Sequence, residues 1–301
     1  MAFEWIKIPY SLLTLFIVVN YGFLLNALIA KIGARVGRRH GIPIWQNYLD
    51  MIKNYGLRSS ITHGVMYYLG PVFRLGGGVG LLLFVPTIYG SEMFSNLSFA
   101  GDLILALYFV FFGTLGMALG AGESGHPYAA IGISRGLSQV TAAELPFALA
   151  VFSVALQYQT LSVTEIVAAQ QGGYLNWTLF TNPFAVTAAM LSFLGSMMRP
   201  PFDVVLAPQE IPIGPPTEYH SSYLAMMQTN RAIFPIAKMV VYMNLFFGGA
   251  ISWPIFFLKI FLIYMVSVFV GVVFPRFHVE HSVRWFLVWA VPFGIIAILW
   301  V

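Results

Sequence analysis

The sequence contains no cysteine, and only 9% of its 301 residues are charged. Without thiols the chain forms no disulfide and holds neither a cysteine-ligated zinc nor a cysteine-ligated iron–sulfur cluster. Any redox centre that serves it must therefore sit on another chain. The scarcity of charge excludes a soluble enzyme. Soluble domains carry about 25% charged and about 45–50% apolar residues, whereas 59% of this chain is hydrophobic and its mean hydropathy is +0.81. The N-terminal region lacks a signal-peptide cleavage pattern, and its first apolar run, 9–30, is long enough to stay in the bilayer as a helix. Internal repeats, low-complexity tracts and linkers are not evident, so residues 1–301 read as a single membrane domain.

What is present is a series of apolar runs bounded by glycine, proline or charge, near 9–30, 62–86, 101–121, 139–158, 183–198, 232–250, 254–275 and 283–301. A transmembrane helix takes about 20 such residues. The expected fold class is an all-α polytopic membrane protein with about eight transmembrane helices, a cytoplasmic amphipathic helix and a long structured cytoplasmic loop. Charge placement supports an even count. Lys31, Arg35, Arg38, Arg39, Lys53, Arg58, Arg135, Arg199, Arg231, Arg276 and Arg284 fall on one side, 11 of the 15 basic residues. Lys7 falls on the other, with Glu4, Glu92 and Glu165 beside it and Asp102 at the edge of the third span. Positive-inside bias puts the basic loops in the cytoplasm and both termini outside, in a multi-pass protein of the cytoplasmic (inner) cell membrane.

Two cytoplasmic segments, 31–61 and 199–231, are more than connectors. Within the first, Ile44, Tyr48, Met51, Ile52 and Tyr55 share roughly one face of a helix whose remainder holds Gln46, Asp50, Lys53 and Asn54, the pattern of an interfacial helix on a membrane or a partner. The second carries six prolines in its first eighteen positions, with Asp203, Glu210 and Glu218 at wide spacing. Proline at that density forbids a helix, and the segment reads as a structured loop of about 30 residues, a length usually reserved for function.

Ionisable side chains inside spans are costly and face a partner or a wet cavity; here they are Arg74, Glu144, Lys238 and Lys259. Arg135 and Gln139 lie one helical turn apart, and Glu144 points about 140° round from Gln139. Pro146 follows close by and frees a backbone carbonyl. This arrangement suits either a polar file ending at a proton-exchanging carboxylate or a static pair of Glu144 with Lys238 or Arg74. The loop acids admit the same two readings: fixed ion pairs with Arg199 and Arg231, or mutually perturbed proton carriers. His126, His220, His278 and His281 lack metal-ligand spacing, and no metal site is expected. The glycines at 76–78 lack a strand–helix context for phosphate and read as close helix packing. Gly122-Glu123-Ser124-Gly125 matches the G-x-S-G pattern of rhomboid proteases, but every later histidine falls in a loop, leaving Ser124 without an intramembrane base.

Three groups of positions carry a resemblance. Arg39-x-Gly41 is followed by Gln46, Asp50 and Lys53 in the spacing Q-x3-D-x2-K. Tyr128, Gly132, Arg135, Gln139 and Glu144 follow in order, and Arg199-Pro-Pro-Phe-Asp203 precedes Glu210, Gly214, Glu218 and Tyr219. These positions resemble the subunit 1 family of respiratory complex I. They are more similar still to the corresponding subunit of energy-converting membrane-bound nickel–iron hydrogenases and related ferredoxin-driven, sulfane-sulfur-reducing complexes. The resemblance runs from the end of the first span to the start of the sixth. Leu206 and Pro208 stand where the complex I branch has acids, and Arg231 where it usually has glutamate.

The resemblance implies a docking and coupling subunit of an ion-pumping redox complex, with proton or ion coupling at Glu144, Asp203, Glu210, Glu218, Arg135, Gln139 and Arg199. Arg74, Lys238 and Lys259 are candidate continuations of the relay, and Gln46, Asp50 and Lys53 form the docking helix. It implies no cofactor on this chain, with iron–sulfur clusters and, in the hydrogenase branch, a nickel–iron centre on partner subunits. The implied partners are hydrogenase-like and iron–sulfur peripheral subunits, antiporter-like membrane subunits and the lipid bilayer; no nucleic acid is implied. The alternatives are the quinone-site subunit of a true complex I-type NADH or ferredoxin:quinone oxidoreductase, and a free-standing secondary transporter using Glu144 and Lys238.

Overall fold

The computed structural model describes residues 6–58, 63–205 and 214–301. Glu210, Leu206 and Pro208 lie outside the described residues. The described chain is helical: α1 (Lys7–Val36), α2 (Gln46–Tyr55), α3 (Val65–Phe84), α4 (Asp102–Glu123), α5 (Pro127–Tyr158), the short α6 (Val163–Ala169) and α7 (Thr178–Thr181), α8 (Pro183–Ser196), α9 (Ser221–Phe246), α10 (Trp253–Val273), and α11 (Val279–Trp285) continuing through a π-helical turn into α12 (Val291–Trp300). Each of the eight expected spans falls on a helix. Among the described residues, six helical stretches are long and apolar enough to cross a membrane on their own: α1, α3, α4, α5, α10 and Val279–Trp300. Two expected spans differ from these. At 14 residues α8 reaches about 21 Å, short of a hydrocarbon core of about 30 Å. Helix α9 has ample length, but its polar residues dilute its hydropathy.

Helix α9 can carry polar groups because it does not meet lipid. Every residue from 236 to 246 is buried, and α1, α2, α3, α6 and α10 all pack against it. Ionisable groups are tolerated where protein, not hydrocarbon, surrounds them. By contrast α10 exposes Phe269 and Val272 as a lipid-facing helix would.

Two boundaries differ from expectation. The fourth span extends N-terminally to Pro127, so Arg135 stands on a helix and not in a loop. His126 caps this helix, its Nδ1 accepting from Tyr128 N at 3.2 Å, and Pro127 occupies the first turn, where a missing N–H is harmless. The 199–231 segment is likewise part helix, because α9 starts at Ser221. Its prolines end at Pro216, and 221–231 has the composition to continue a helix.

Helices α3 and α4 touch backbone to backbone. A Cβ on Gly77 would stand 2.4 Å from Gly113 Cα, and one on Gly116 would stand 2.5 Å from Arg74 N. Close packing thus explains Gly77, and also Gly78, which faces Asn230, but not Gly76, which has nothing within 4 Å. Replacing Gly77 by leucine is expected to cost about 1–3 kcal/mol through forced separation of the two helices. Gly33→Ala, at an open position, is expected to be neutral or slightly stabilising. Thermal unfolding of both variants in mild detergent checks this; equal midpoints would refute the close contact.

Candidate functional site

The amphipathic helix α2 is docked by a mixed side, where Asn47, Tyr48 and Asn54 hydrogen-bond and Met51 is half-buried. Asn47 Nδ2 donates to Phe23 O at 3.0 Å, Tyr48 Oη to Asn20 O at 3.2 Å, and Asn54 Nδ2 to Gln228 Oε1 at 2.9 Å. Trp45, Leu49 and Ile52 are left 64%, 53% and 63% exposed. Desolvation of its ring pushes the Tyr48 phenol up. Of the three residues matched on this helix, Gln46 donates to Asp50 Oδ1 at 2.8 Å, Asp50 faces inward, and Lys53 is exposed in the last turn, where a cation suits the helix dipole.

Inward of α2 lies a cavity of about 440 Å³ whose lining includes Asp50, Arg74, Arg199, Asn230, Arg231, Lys238 and Tyr264. It gathers residues from α1, α2, α3, α4, α9 and α10 at the level where the chain leaves α8 at Met197. The cations are held by neutral groups. Arg199 donates to Tyr264 Oη and stacks over its ring at 4.6 Å; Tyr264 in turn donates to Asn26 Oδ1 at 2.7 Å. Asn230, with its amide oriented to satisfy both contacts, accepts from Arg74 Nε at 3.2 Å and donates to Arg74 O at 3.2 Å. Lys238, 3% exposed, donates to Ser196 O at 3.2 Å and lies 4.4 Å from the Phe234 ring centre.

Beyond Lys238 is a second, much smaller space of about 10 Å³, the room of about one water molecule. Glu144 and Tyr242 line it, and Lys238 and Ser196 line both spaces. Glu144 has Lys238 and Thr114 as its polar neighbours, and Thr114 also borders the larger cavity. Glu144 Oε1 is buried without a hydrogen-bond partner. The structure therefore brings Arg74, Arg199, Lys238 and Glu144 into one connected region. Lys259 is not part of it. Its Nζ donates to Phe247 O and Gly249 O, both at 2.6 Å, over the Trp177 ring, in a cavity at the far end of α9 that shares no lining residue with the other two.

The loop acids are distributed differently from expectation. Asp203 is bound at both oxygens by Arg276, Nε to Oδ1 at 2.7 Å and Nη2 to Oδ2 at 2.6 Å. The expected ion pairing with Arg199 and Arg231 missed this partner, which lies 73 residues away and gave no local signal. The loop is pinned on α5 by Gln139 Nε2, donating to Phe202 O at 2.6 Å, while Phe202 packs on Phe286 and Trp285. Arg135 stands half-buried one turn earlier on α5. Glu218 Oε2 accepts from Ser124 Oγ at 2.5 Å and lies 3.2 Å from His63 Nε2. Ser124 thus faces a carboxylate, and His126 meets it only through backbone N, which removes the base a serine protease needs. Beside this cluster Tyr219 stacks on Tyr67 at 4.3 Å and donates to its carbonyl; burial pushes the Tyr219 phenol up.

Comparison with known proteins follows this geometry. The family described as "NADH dehydrogenase" matches residues 7–301. The chain belongs to that family. Within the family it is 26% identical over 276 residues to a subunit of the NADH-quinone oxidoreductase of Protochlamydia amoebophila, covering 86% of this chain and 83% of that one. It is 26% identical over 294 residues to hydrogenase-4 component C of Escherichia coli K12, covering 92% and 90%. Its fold superposes with a TM-score of 0.89 and 30% identity on a chain of the membrane-bound sulfane sulfur reductase, an archaeal respiratory membrane complex, covering 97% of this chain and 98% of that one. As a family member the chain is a membrane oxidoreductase-complex subunit of the complex I and hydrogenase type.

The Asp203–Arg276 pair is mostly buried, so breaking it from one side strands a charge. Arg276→Gln is expected to destabilise the folded subunit by roughly 3–5 kcal/mol, and Asp203→Asn combined with it by less than the two singles together. Denaturation midpoints of the three variants check the pairing; full additivity would refute it.

Proposed function

We propose that this chain is the membrane docking and coupling subunit of a multisubunit, ion-pumping redox complex of the membrane-bound hydrogenase type. The reading rests on one observation above the others: Lys238 is a common wall between a large polar cavity at the cytoplasmic end and the small space holding Glu144. A change of charge in the cavity acts on the Lys238 ammonium, and the ammonium acts on Glu144 at short range in a poorly screened interior. Glu144, with Oε1 unpartnered, is the group free to take up or release a proton in response.

Docking falls to the cytoplasmic side. The exposed apolar face of α2 (Trp45, Leu49, Ile52) and the Asp203 loop offer surface to peripheral hydrogenase-like and iron–sulfur subunits, and lipid-exposed helices offer surface to antiporter-like membrane subunits. The electron carriers, iron–sulfur clusters and in the hydrogenase branch a nickel–iron centre, belong to those partners in this reading, because this chain has no cysteine to bind them. The membrane in question is the cytoplasmic one, with both termini outside. Arg231 in the cavity lining, where the quinone-linked branch usually carries glutamate, favours an acceptor other than quinone.

The test is Glu144→Gln in the complex purified through a tag on this chain. Assembly and partner content, with iron and nickel measured, should be unchanged and redox turnover retained, while ion uptake per electron into inverted vesicles falls by about tenfold or more, as for loss of a required proton carrier. A variant that fails to assemble, with coupling intact in whatever complex forms, would make Glu144 structural. A wild-type chain that purifies alone and metal-free would refute the docking role and return transport on its own as the reading.

A further inference from the structure

Four cations line the larger cavity: Arg74, Arg199, Arg231 and Lys238. Among the described residues its lining holds one carboxylate, Asp50, and Oδ1 of that group already accepts from Gln46. Among the described residues, no carboxylate lies within ion-pair distance of any of the four; the ion pairs there are His63 with Glu218 and Arg276 with Asp203. The acceptors that hold Arg74, Arg199 and Lys238 (Asn230, the Tyr264 hydroxyl and ring, the Ser196 carbonyl, the Phe234 ring) are all neutral. Arg74 Nη1 is buried with no partner at all. Even with Glu144 counted from behind Lys238, cations outnumber carboxylates by four to two among the described residues.

Such an excess is expensive at Arg74 and Lys238, which are buried away from bulk water, and less so at Arg231, which is exposed. Water in the cavity lowers the cost, and a soluble counter-ion lowers it further. Guanidinium forks pair best with planar or tetrahedral oxyanions, two oxygens at a time. At about 30 Å³ per water the space holds roughly fifteen water volumes, enough for a tetrahedral oxyanion with part of its hydration shell.

We propose that this cavity is a binding site for a doubly charged oxyanion of phosphate chemistry, held by Arg74 Nη1, Arg199 and Arg231 with the Lys238 ammonium at its inner end. The site neither requires nor follows from the coupling role. Binding is an equilibrium property that survives if Glu144 proves structural, and the Glu144→Gln test leaves it untouched.

The assay is radiolabelled inorganic phosphate binding to the purified complex in nanodiscs of zwitterionic lipid, at constant ionic strength. The expected result is one saturable site per copy of this chain, competed by sulfate and not by chloride. Arg231 is exposed and lies outside the packed core, so Arg231→Gln should fold normally and weaken binding by about tenfold or more, the loss expected for one charge-assisted bidentate contact. Arg284→Gln, an exposed cation outside the cavity, should leave binding unchanged. A parallel arm replaces a minor part of the lipid with phosphatidic acid. Displacement of phosphate by that lipid identifies a headgroup as the natural source, and indifference to it identifies the free anion; both support the site. Absence of saturable binding, as when a partner's carboxylate already fills the cavity, overturns the proposal, and so does binding that survives unchanged in both Arg231→Gln and Arg74→Gln.

Discussion

A charged group placed within hydrocarbon must find protein or water to solvate it, and Lys238, 3% exposed in the middle of α9, imposes that requirement on everything around it. Its first acceptor is Ser196 O, in the last turn of α8. A carbonyl there has no partner inside its own helix and carries the negative end of the helix dipole. Helix α8 can supply it because it stops after 14 residues; were the helix to run on, the same oxygen would be bonded within it. The shortness of α8, the Phe234 ring and the polar cavity thus form one arrangement for keeping an ammonium in the bundle without assigning it a carboxylate.

The far end of α9 repeats the device. The turn after Phe246 needs Gly248 and Gly249 at φ +69° and +60°, a region that side chains with a Cβ disfavour. The carbonyls of Phe247 and Gly249 meet there on Lys259 Nζ. Both intramembrane lysines therefore rest on neutral oxygen at helix ends, and Glu144, the carboxylate beside Lys238, acts on it through space without a direct ion pair. The acids then separate into two kinds. Asp203 is locked by Arg276 at both oxygens and serves to fix the loop. Glu144 keeps an unpartnered buried oxygen, as Asp102 does at the start of α4, and such an unmet acceptor is uncommon in a folded interior.

Much of this was legible in the sequence, and the rest has identifiable reasons for being hidden. Spans are one-dimensional features, and a hydropathy pattern finds them even for α8 and α9, which fail a strict length or polarity criterion. The packing role of Gly77 and Gly78 followed from their company inside an apolar run. The start of α5 at Pro127 was missed because Gly132, Arg135 and Gly136 interrupt its apolar pattern, and the two glycines pack on the chain at Val205 and 214–215. The orientation of α2 was half legible. Its amphipathy was plain, but which face turns inward depends on a polar cavity that no local pattern reveals. The Asp203–Arg276 pair and the Ser124–Glu218–His63 contacts join positions far apart in the chain, and spacing carries no information about them.

The polar file expected along α5 takes a different form in three dimensions. Gln139 and Glu144 point in different directions, as their spacing requires: Gln139 turns to the loop at Phe202, and Glu144 turns to Thr114 and Lys238 on the helices opposite. No chain of titratable groups runs from one to the other on this helix. What joins them is the helix itself, since the Gln139 Nε2–Phe202 O bond ties α5 to the loop that also carries Asp203. In the proposed coupling role, a shift of that loop would reach Glu144 as a displacement of α5, and a change of charge in the cavity would reach it through Lys238. The two routes would enter Glu144 from different sides and depend on different residues, so Gln139 would separate them: its removal would loosen the mechanical route and leave the electrostatic one in place.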